Sequence, residues 1–312
     1  MRIAVFDLGS NTTKMLLAEV GEDSSLRVIG EASRPCRLTP GTDGFSGPAM
    51  EKCLQVTGEL LALAKDGSAQ KMKAVATESF RRASNGSELA SLIHDKLGLS
   101  LSILSGEEEA EAIATGLLSD PALLGLRDFH AIDLGGGSME VIAVRHRSVV
   151  SVESLPVGAV ALSRRFCPSS AFEWPELIRR EAKDYLSSLF ADSVSPALAS
   201  PCPCLVGAGG TLVFLRRILA AEAGDDEAES GLPLTEVDRL LDSMAMMKPE
   251  ARSEAYPALP VERADVFPAG LLVLSEIMRR FRRPEIIHSY RNLRHGLARE
   301  MANQADGELD RD

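Results

Sequence analysis

The sequence predicts an α/β protein made of two related lobes that face one cleft. Three observations carry that expectation. Short apolar runs that read as strands alternate with amphipathic helical stretches along the chain. His130 to Val144 reads as strand, tight turn, strand: apolar residues run into Asp133, then come Leu134, Gly135, Gly136, Gly137 and Ser138, and a second apolar run leaves from Glu140. The start of the chain repeats this in register. Asp7 falls on Asp133, Gly9 on Gly135, Thr12 on Ser138 and Lys14 on Glu140.

The residue types in the repeat suit phosphate. Glycines at 135, 136 and 137 clear side chains from backbone N–H groups and permit positive φ. Successive N–H groups in such a turn make a concave anion site. The phosphate-binding candidates are therefore Gly9, Ser10, Asn11 and Thr12 in the first copy and Gly135, Gly136, Gly137 and Ser138 in the second. Asp133 and Glu140 put two carboxylates beside that anion, which is how Mg²⁺ is usually held. Asp7 is a third metal candidate, and Mn²⁺ is the alternative ion. A lone Asp-Leu-Gly would be an ordinary hairpin; two copies in register are not.

Bulk properties bound the function. At 312 residues the chain exceeds the ~250–300 at which single cores stop growing. The expected lobes are residues 1–124 and 125–302, with a polar tail at 303–312. No apolar run approaches the ~20 residues of a membrane span, and Met1 to Asp7 meets an acid too soon for a signal peptide. The expected compartment is the cytoplasm, with no membrane partner. A formal net charge of -11 argues against nucleic-acid binding. Five scattered cysteines fit reduced thiols, and Cys202-Pro-Cys204 reads as ordinary residues leading into a strand.

In chain order, residues 3–8, 14–20 and 25–32 read as strands. Ser46-Gly47-Pro48 opens a helix whose buried stripe is Met50, Cys53, Leu54, Leu60, Leu61 and Ala64. A strand at 73–77 leads to a helix from Glu78, with Thr77 placed to cap it. Arg81, a turn in, could clamp a phosphate or simply be solvated. After a strand at 99–104, Ser105 and Glu108 have capping-box spacing. Four glutamates there (107, 108, 109 and 111) suit the helix dipole, and spacing alone does not pick one that points inward.

Asp120 to Asp128 reads as the connection between lobes. Beyond the second turn, 149–155 is a strand and 172–191 an amphipathic helix with Leu177, Ile178, Tyr185, Leu186 and Leu189 inward. Trp174 is read as packing. Gly207, Gly209, Gly210 and Thr211 form a third glycine-rich strand-to-helix turn, for a nucleotide or distal phosphate or for close helix–sheet contact. A helix at 234–246 is capped by Thr235. The long apolar helix to Phe281 ends in Arg279-Arg280-Phe281-Arg282-Arg283, either a dipole-favoured end or a path for a long polyanion. A strand at 285–288 and a helix at 292–301 complete the chain.

Six motifs together resemble the exopolyphosphatase/guanosine pentaphosphatase family, within the sugar kinase, heat-shock ATPase and actin superfamily. They are Asp7-Leu8-Gly9-Ser10-Asn11, Ala76-Thr77-Glu78-Ser79-Phe80-Arg81, Ser105-Gly106-Glu107-Glu108-Glu109-Ala110, Asp133 to Glu140, Gly207 to Thr211, and Arg263-Ala264-Asp265. The resemblance implies two ribonuclease H-like, actin-like ATPase lobes with an active site in the cleft between them. It implies Mg²⁺-dependent removal of a terminal phosphate from a phosphoanhydride chain. By motif, Glu109 matches the catalytic base, Glu140 a second essential acid, Asp133 the metal-side acid and Arg81 a phosphate-contacting arginine. Met139 stands where the family usually has a small hydroxyl residue. The chain looks like the short form, without the C-terminal HD-like region, and a homodimer is the expected assembly.

The expected function is exopolyphosphatase, processive or distributive, acting on inorganic polyphosphate. The alternatives are a guanosine pentaphosphate 5′-phosphohydrolase, with guanosine penta- or tetraphosphate as ligand, and a non-catalytic actin-like nucleotide sensor.

Overall fold

The computed structural model describes all residues except 22–24, 168–172, 194–199, 202, 226–228 and 310–312. Two compact units emerge: Met1–Leu123 with Arg291–Asp312, and Leu124–Tyr290.

In the first unit, β1 (Arg2–Leu8), β2 (Thr12–Val20) and β3 (Leu26–Pro35) run antiparallel. On the other side of β1, β4 (Lys71–Ala76) and β5 (Leu101–Ile103) are parallel to it, giving the order β3-β2-β1-β4-β5. Ile3, Ala4, Val5, Phe6 and Leu8 are all fully buried, as a central strand covered on both faces requires. Helix α1 (Gly47–Asp66) starts as expected, with Ser46 Oγ accepting from the Ala49 N–H at 3.4 Å. It buries Cys53, Leu60, Leu61 and Ala64, while Met50 and Leu54 are only half-buried. Helices α2 (Glu78–Arg82), α3 (Gly86–Leu97) and α4 (Gly106–Leu118) follow. Thr77 stands at the N-cap of α2, but its side chain makes no capping bond.

The second unit repeats the topology. Strands β6 (Phe129–Leu134), β7 (Met139–Arg145) and β8 (Ser148–Leu155) are antiparallel, and β9 (Leu205–Ala208) and β11 (Glu285–His288) lie parallel beyond β6. A short β10 (Gly231–Pro233) adds an antiparallel edge to β11. Setting β10 aside, the order 8-7-6-9-11 is the order 3-2-1-4-5 of the first unit. The internal repeat is thus a repeat of fold as well as of motif.

Helices α5 (Ala159–Phe166), α6 (Glu176–Ser193), α7 (Gly210–Ala223), α8 (Leu234–Met244), α9 (Pro249–Ala255), α10 (Val261–Ala264) and α11 (Phe267–Arg280) complete this unit. Helix α11 is apolar along most of its length and sits in the core, from Phe267 to Ser275 without a break. Trp174 is fully buried packing, as read from sequence. Leu177, expected inward, is 55% exposed. Pro233, not Thr235, caps α8. Phe172 and Cys202 lie outside the described residues; Cys36, Cys53, Cys167 and Cys204 are free thiols.

The chain end differs from expectation. Residues up to 302 were assigned to the second lobe and 303–312 to a tail. Instead α12 (Leu293–Leu309) belongs to the first unit. Gly296 on α12 packs directly against the Ala112 carbonyl of α4, where a side chain would clash. Arg294 reaches the Met15 carbonyl at 3.2 Å and Glu31 at 2.9 Å, tying the helix to β2 and β3. An amphipathic pattern shows that a helix has a buried face, not which sheet covers it. Among the described residues no helix is long and apolar enough to cross a membrane.

Candidate active site

In the first unit, the β1–β2 turn is closed by the Gly9 N–H donating to the Thr12 carbonyl at 3.2 Å. Ser10, Asn11 and Thr12 are buried. The Asn11 carbonyl accepts from the N–H groups of Cys36 and Arg37, at 2.9 and 3.0 Å, so the loop after β3 straps the turn from outside. Among the described residues, the Ser10 and Asn11 N–H groups meet no acceptor, and Asn11 Nδ2 is a buried donor without a partner. Buried donors of this kind are almost always satisfied in proteins.

Two carboxylates stand in the same unit. Glu109, 6% exposed, is the buried one of the four glutamates; Glu107, Glu108 and Glu111 are exposed. The capping box forms as expected, with Ser105 Oγ accepting from the Glu108 N–H at 3.1 Å and Glu108 Oε2 accepting from the Ser105 N–H at 2.7 Å. That backbone bond holds the Glu108 carboxyl below its usual range. With the helix start fixed, Glu109 comes one position later, facing inward. Arg81 Nη1 donates to Glu109 Oε2 at 2.8 Å and to the Leu104 carbonyl at 2.7 Å. The pair expected to serve separately is one unit, and among the described residues Arg81 Nη2 and Nε remain uncommitted. Glu78 is a site residue that the sequence reading missed. It is 7% exposed, accepts from Ser10 Oγ at 3.5 Å, and pairs with Arg82 at 3.0 Å. Its partner on the turn is 68 residues away, so no local pattern could reveal it.

In the second unit, the Gly135 N–H donates to the Ser138 carbonyl at 3.0 Å, the counterpart of the first turn. The Gly135 and Gly136 carbonyls accept from Ala159, Val160 and Ala161 at 2.9–3.1 Å, so the start of α5 is spent on the back of the turn. Gly158 makes this approach possible: a Cβ there would stand 2.5 Å from Gly136 backbone. Among the described residues, the N–H groups of Gly136, Gly137 and Ser138 meet no acceptor.

Asp133 and Glu140 are directly opposed across β6 and β7, and Glu140 is opposed in turn by Ser154 on β8. Opposed residues share a face. Ser154 Oγ donates to Glu140 Oε1 at 2.9 Å and orients a carboxylate that is 2% exposed. The equivalent pair in the first unit is Asp7 opposite Lys14, an acid facing a cation. The third turn lies against the second: a Cβ on Gly209, at φ 107°, would be 2.9 Å from Asp133 Oδ1. The Arg263 guanidinium lies over Gly210, with Nη1 3.6 Å from where a Cβ would be. Met139 is fully buried in the core, so the position that departs from the family pattern presents no polar group to the turn. Arg279 is engaged by Asp238 at 2.7 Å and by Ser275.

Residues 18–305 match the Ppx/GppA phosphatase family. The chain belongs to that family. Among its relatives is the guanosine-5′-triphosphate,3′-diphosphate pyrophosphatase of Vibrio cholerae, 30% identical over 309 residues, covering 96% of this chain and 59% of the relative. The Vibrio atlanticus protein of the same name is 28% identical with the same coverage. The chain thus spans about three-fifths of the length of these curated relatives. Among solved structures, the Ppx/GppA enzyme of Aquifex aeolicus is 25% identical with a TM-score of 0.76, covering 96% of this chain and 99% of its own. An exopolyphosphatase from Cytophaga hutchinsonii is 20% identical with a TM-score of 0.87, covering 97% and 98%. At that identity the likeness shows the fold alone, and the fold is the actin-like one of the Ppx/GppA family.

Proposed function

We propose that this chain hydrolyses the terminal phosphoanhydride bond of inorganic polyphosphate and releases orthophosphate. The observation that carries the reading is the pair of equivalent glycine turns, each with N–H groups that meet no acceptor among the described residues, in a chain that also pairs the buried Glu109 with the half-buried Arg81.

The residues fit a hard divalent ion. Among the described residues there is no group of three or more His, Cys, Asp or Glu side chains that could cage a metal by themselves. Mg²⁺ does not need one, since it is commonly held by one or two carboxylates together with substrate phosphates and water. Asp133 and Glu140, opposed across β6 and β7 with Glu140 oriented by Ser154, are the pair that would hold it. Asp7 is the weaker candidate, because its neighbour across the sheet is Lys14. When bound, the ion supplies neutralisation of charge on the phosphate oxygens.

The chain's own groups do the rest. The free N–H groups of a glycine turn bind and orient phosphoryl oxygens. Glu109 takes a proton from water as the water oxygen bonds to the terminal phosphorus. The Arg81 guanidinium holds that carboxylate in place at 2.8 Å. The phosphorus–oxygen bond to the rest of the chain breaks, and the uncommitted N–H groups of Arg81 draw the charge that develops on the leaving oxygen. Positioning and electrostatics supply most of the rate in such transfers.

A second reading is hydrolysis of the 5′-terminal phosphate of guanosine pentaphosphate, favoured by the names of the Vibrio relatives. Both substrates present the same terminal group. The test is phosphate release by the full chain with Mg²⁺ from long-chain polyphosphate, tripolyphosphate, guanosine pentaphosphate and ATP. Release from both polyphosphates is expected. Cleavage of the guanosine nucleotide alone would replace the first reading with the second, and tight nucleotide binding without release would replace both with a sensor.

A further inference from the structure

One end of the second unit's sheet is lined with basic side chains, and it is the end away from the glycine turn. The β7–β8 hairpin turns through His146 and Arg147, at φ 51° and 60°. Two successive positive-φ residues make a turn that Asn-Gly or Gly-Gly normally fills. Arg282, between α11 and β11, takes a third left-handed conformation at φ 53°. Strain of this kind in bulky residues clusters where a side chain is wanted in that place. Here all three side chains are basic.

The three segments converge. The Arg147 N–H donates to the Arg127 carbonyl at 2.8 Å, and Arg147 Nη1 donates to the Leu126 carbonyl at 3.0 Å. Arg145 Nη2 lies 3.2 Å from His130 Nε2. The His130 ring packs 4.8 Å from that of Phe281, which sits between Arg280 and Arg282. Arg283 Nη1 donates to the Pro203 carbonyl at 3.2 Å, just before β9. Arg127, Arg280 and Arg282 are exposed, and among the described residues none has a carboxylate partner. The nearby acid Asp128 has Oδ1 taken by the His146 N–H at 2.7 Å. Arg279, neutralised by Asp238, is not part of this face. In a chain of net charge -11 such a face is a local reversal of sign, and local positive potential attracts polyanions.

The separation of this face from the turn selects the ligand. Strand β7 has seven residues, so the turn and the hairpin are about 20 Å apart in a straight line, and further over the surface. A ligand held at both must be a polymer. We propose that the Arg127, Arg145–Arg147 and Arg280–Arg283 face is an exosite for the remote part of a linear inorganic polyphosphate whose end lies at the second unit's glycine turn. This rests on the hydrolysis proposed above and names its substrate as long-chain.

The test uses the full chain carrying Arg127→Glu, Arg280→Glu and Arg282→Glu together. Binding of labelled long-chain polyphosphate is titrated over a salt series, beside phosphate release from tripolyphosphate. Long-chain affinity is expected to fall about tenfold or more, with the salt slope reduced by about 2, at ~0.7 per lost phosphate contact on a single flexible strand. Tripolyphosphate turnover should match the unsubstituted chain. Unchanged long-chain binding would overturn the exosite. So would a parallel loss with tripolyphosphate, or RNA of equal phosphate number bound as tightly and lost in step. Because binding is read without turnover, failure of the hydrolase reading shows separately, as silent release with arginine-dependent binding intact.

Discussion

Arg81 and Glu109 constrain each other. Arg81 is fixed by the Leu104 carbonyl and by Glu109 through one nitrogen, which leaves its other N–H groups uncommitted among the described residues. Arg81→Met strands a buried carboxylate and removes those donors. Turnover should fall about 10²-fold, the usual cost of losing a donor to developing negative charge, and the melting temperature should fall with it. Arg82→Met is the control, since Arg82 is largely exposed and among the described residues pairs with Glu78 four residues back; it should leave turnover near that of the unsubstituted chain. Equal losses in both variants would show that the Arg81–Glu109 pair has no special role. Motif order singled out Glu109 among the glutamates at the start of α4, but spacing did not, because the dipole favours the three in the first turn alike. What distinguishes it is burial against Arg81, 28 residues earlier, a tertiary fact. Glu78 and Ser154 were missed for the same reason.

At the level of secondary structure, the turns were the legible part. Gly135 to Ser138 and Gly9 to Thr12 were found through their repeated spacing, and the demand for glycine there is close approach, not the positive φ that was expected: a Cβ on Gly9 or Gly135 would stand 3.3 or 3.1 Å from the Thr12 or Ser138 carbonyl. Gly209 shows how strict that demand is. At φ 107° alanine is strained, and its methyl would press on Asp133 Oδ1 and the Leu134 carbonyl. Gly209→Ala should cost about 2 kcal/mol and lower turnover, whereas Gly125→Ala, facing open space, should do neither; indistinguishable melts would contradict the packing described. Helix α12 makes a second case. Burial, with Arg294 and Arg291 adding to it, pushes His295 down from 6.5 to about 3. The folded state therefore keeps it neutral, with Nδ1 accepting from the Asn292 N–H at 3.3 Å. Its depressed value gives stability that is present above pH 6.5 and lost as pH falls towards 3, at about 1.4 kcal/mol per pH unit. Urea melts from pH 7 to 4 should show His295→Gln losing less stability than the unsubstituted chain. Parallel curves would contradict this. The helix itself was expected from sequence, but its sheet was not, since its partner glycines and alanines lie near residues 112 and 116.

Across the whole molecule, the two units are alike in strand order and unlike in the side chains at equivalent positions. The two sheets share strand order and the register of their turns, yet the paired position opposite the strand-end aspartate is Lys14 in one and Glu140 in the other. The second unit has the opposed carboxylates Asp133 and Glu140, and the first has Glu109 and Arg81 on flanking helices. If residues of both units serve a single reaction, their losses cannot be independent. Groups that act together show grossly non-additive effects, and a double removal costs about as much as the worse single one. Phosphate release from tripolyphosphate should therefore be compared among Glu109→Gln, Glu140→Gln and the double variant. Each single change is expected to lower turnover by ~10²-fold or more, with the double no slower than about the slower single. Near-normal turnover in either single variant, or losses that multiply in the double, would contradict a shared reaction.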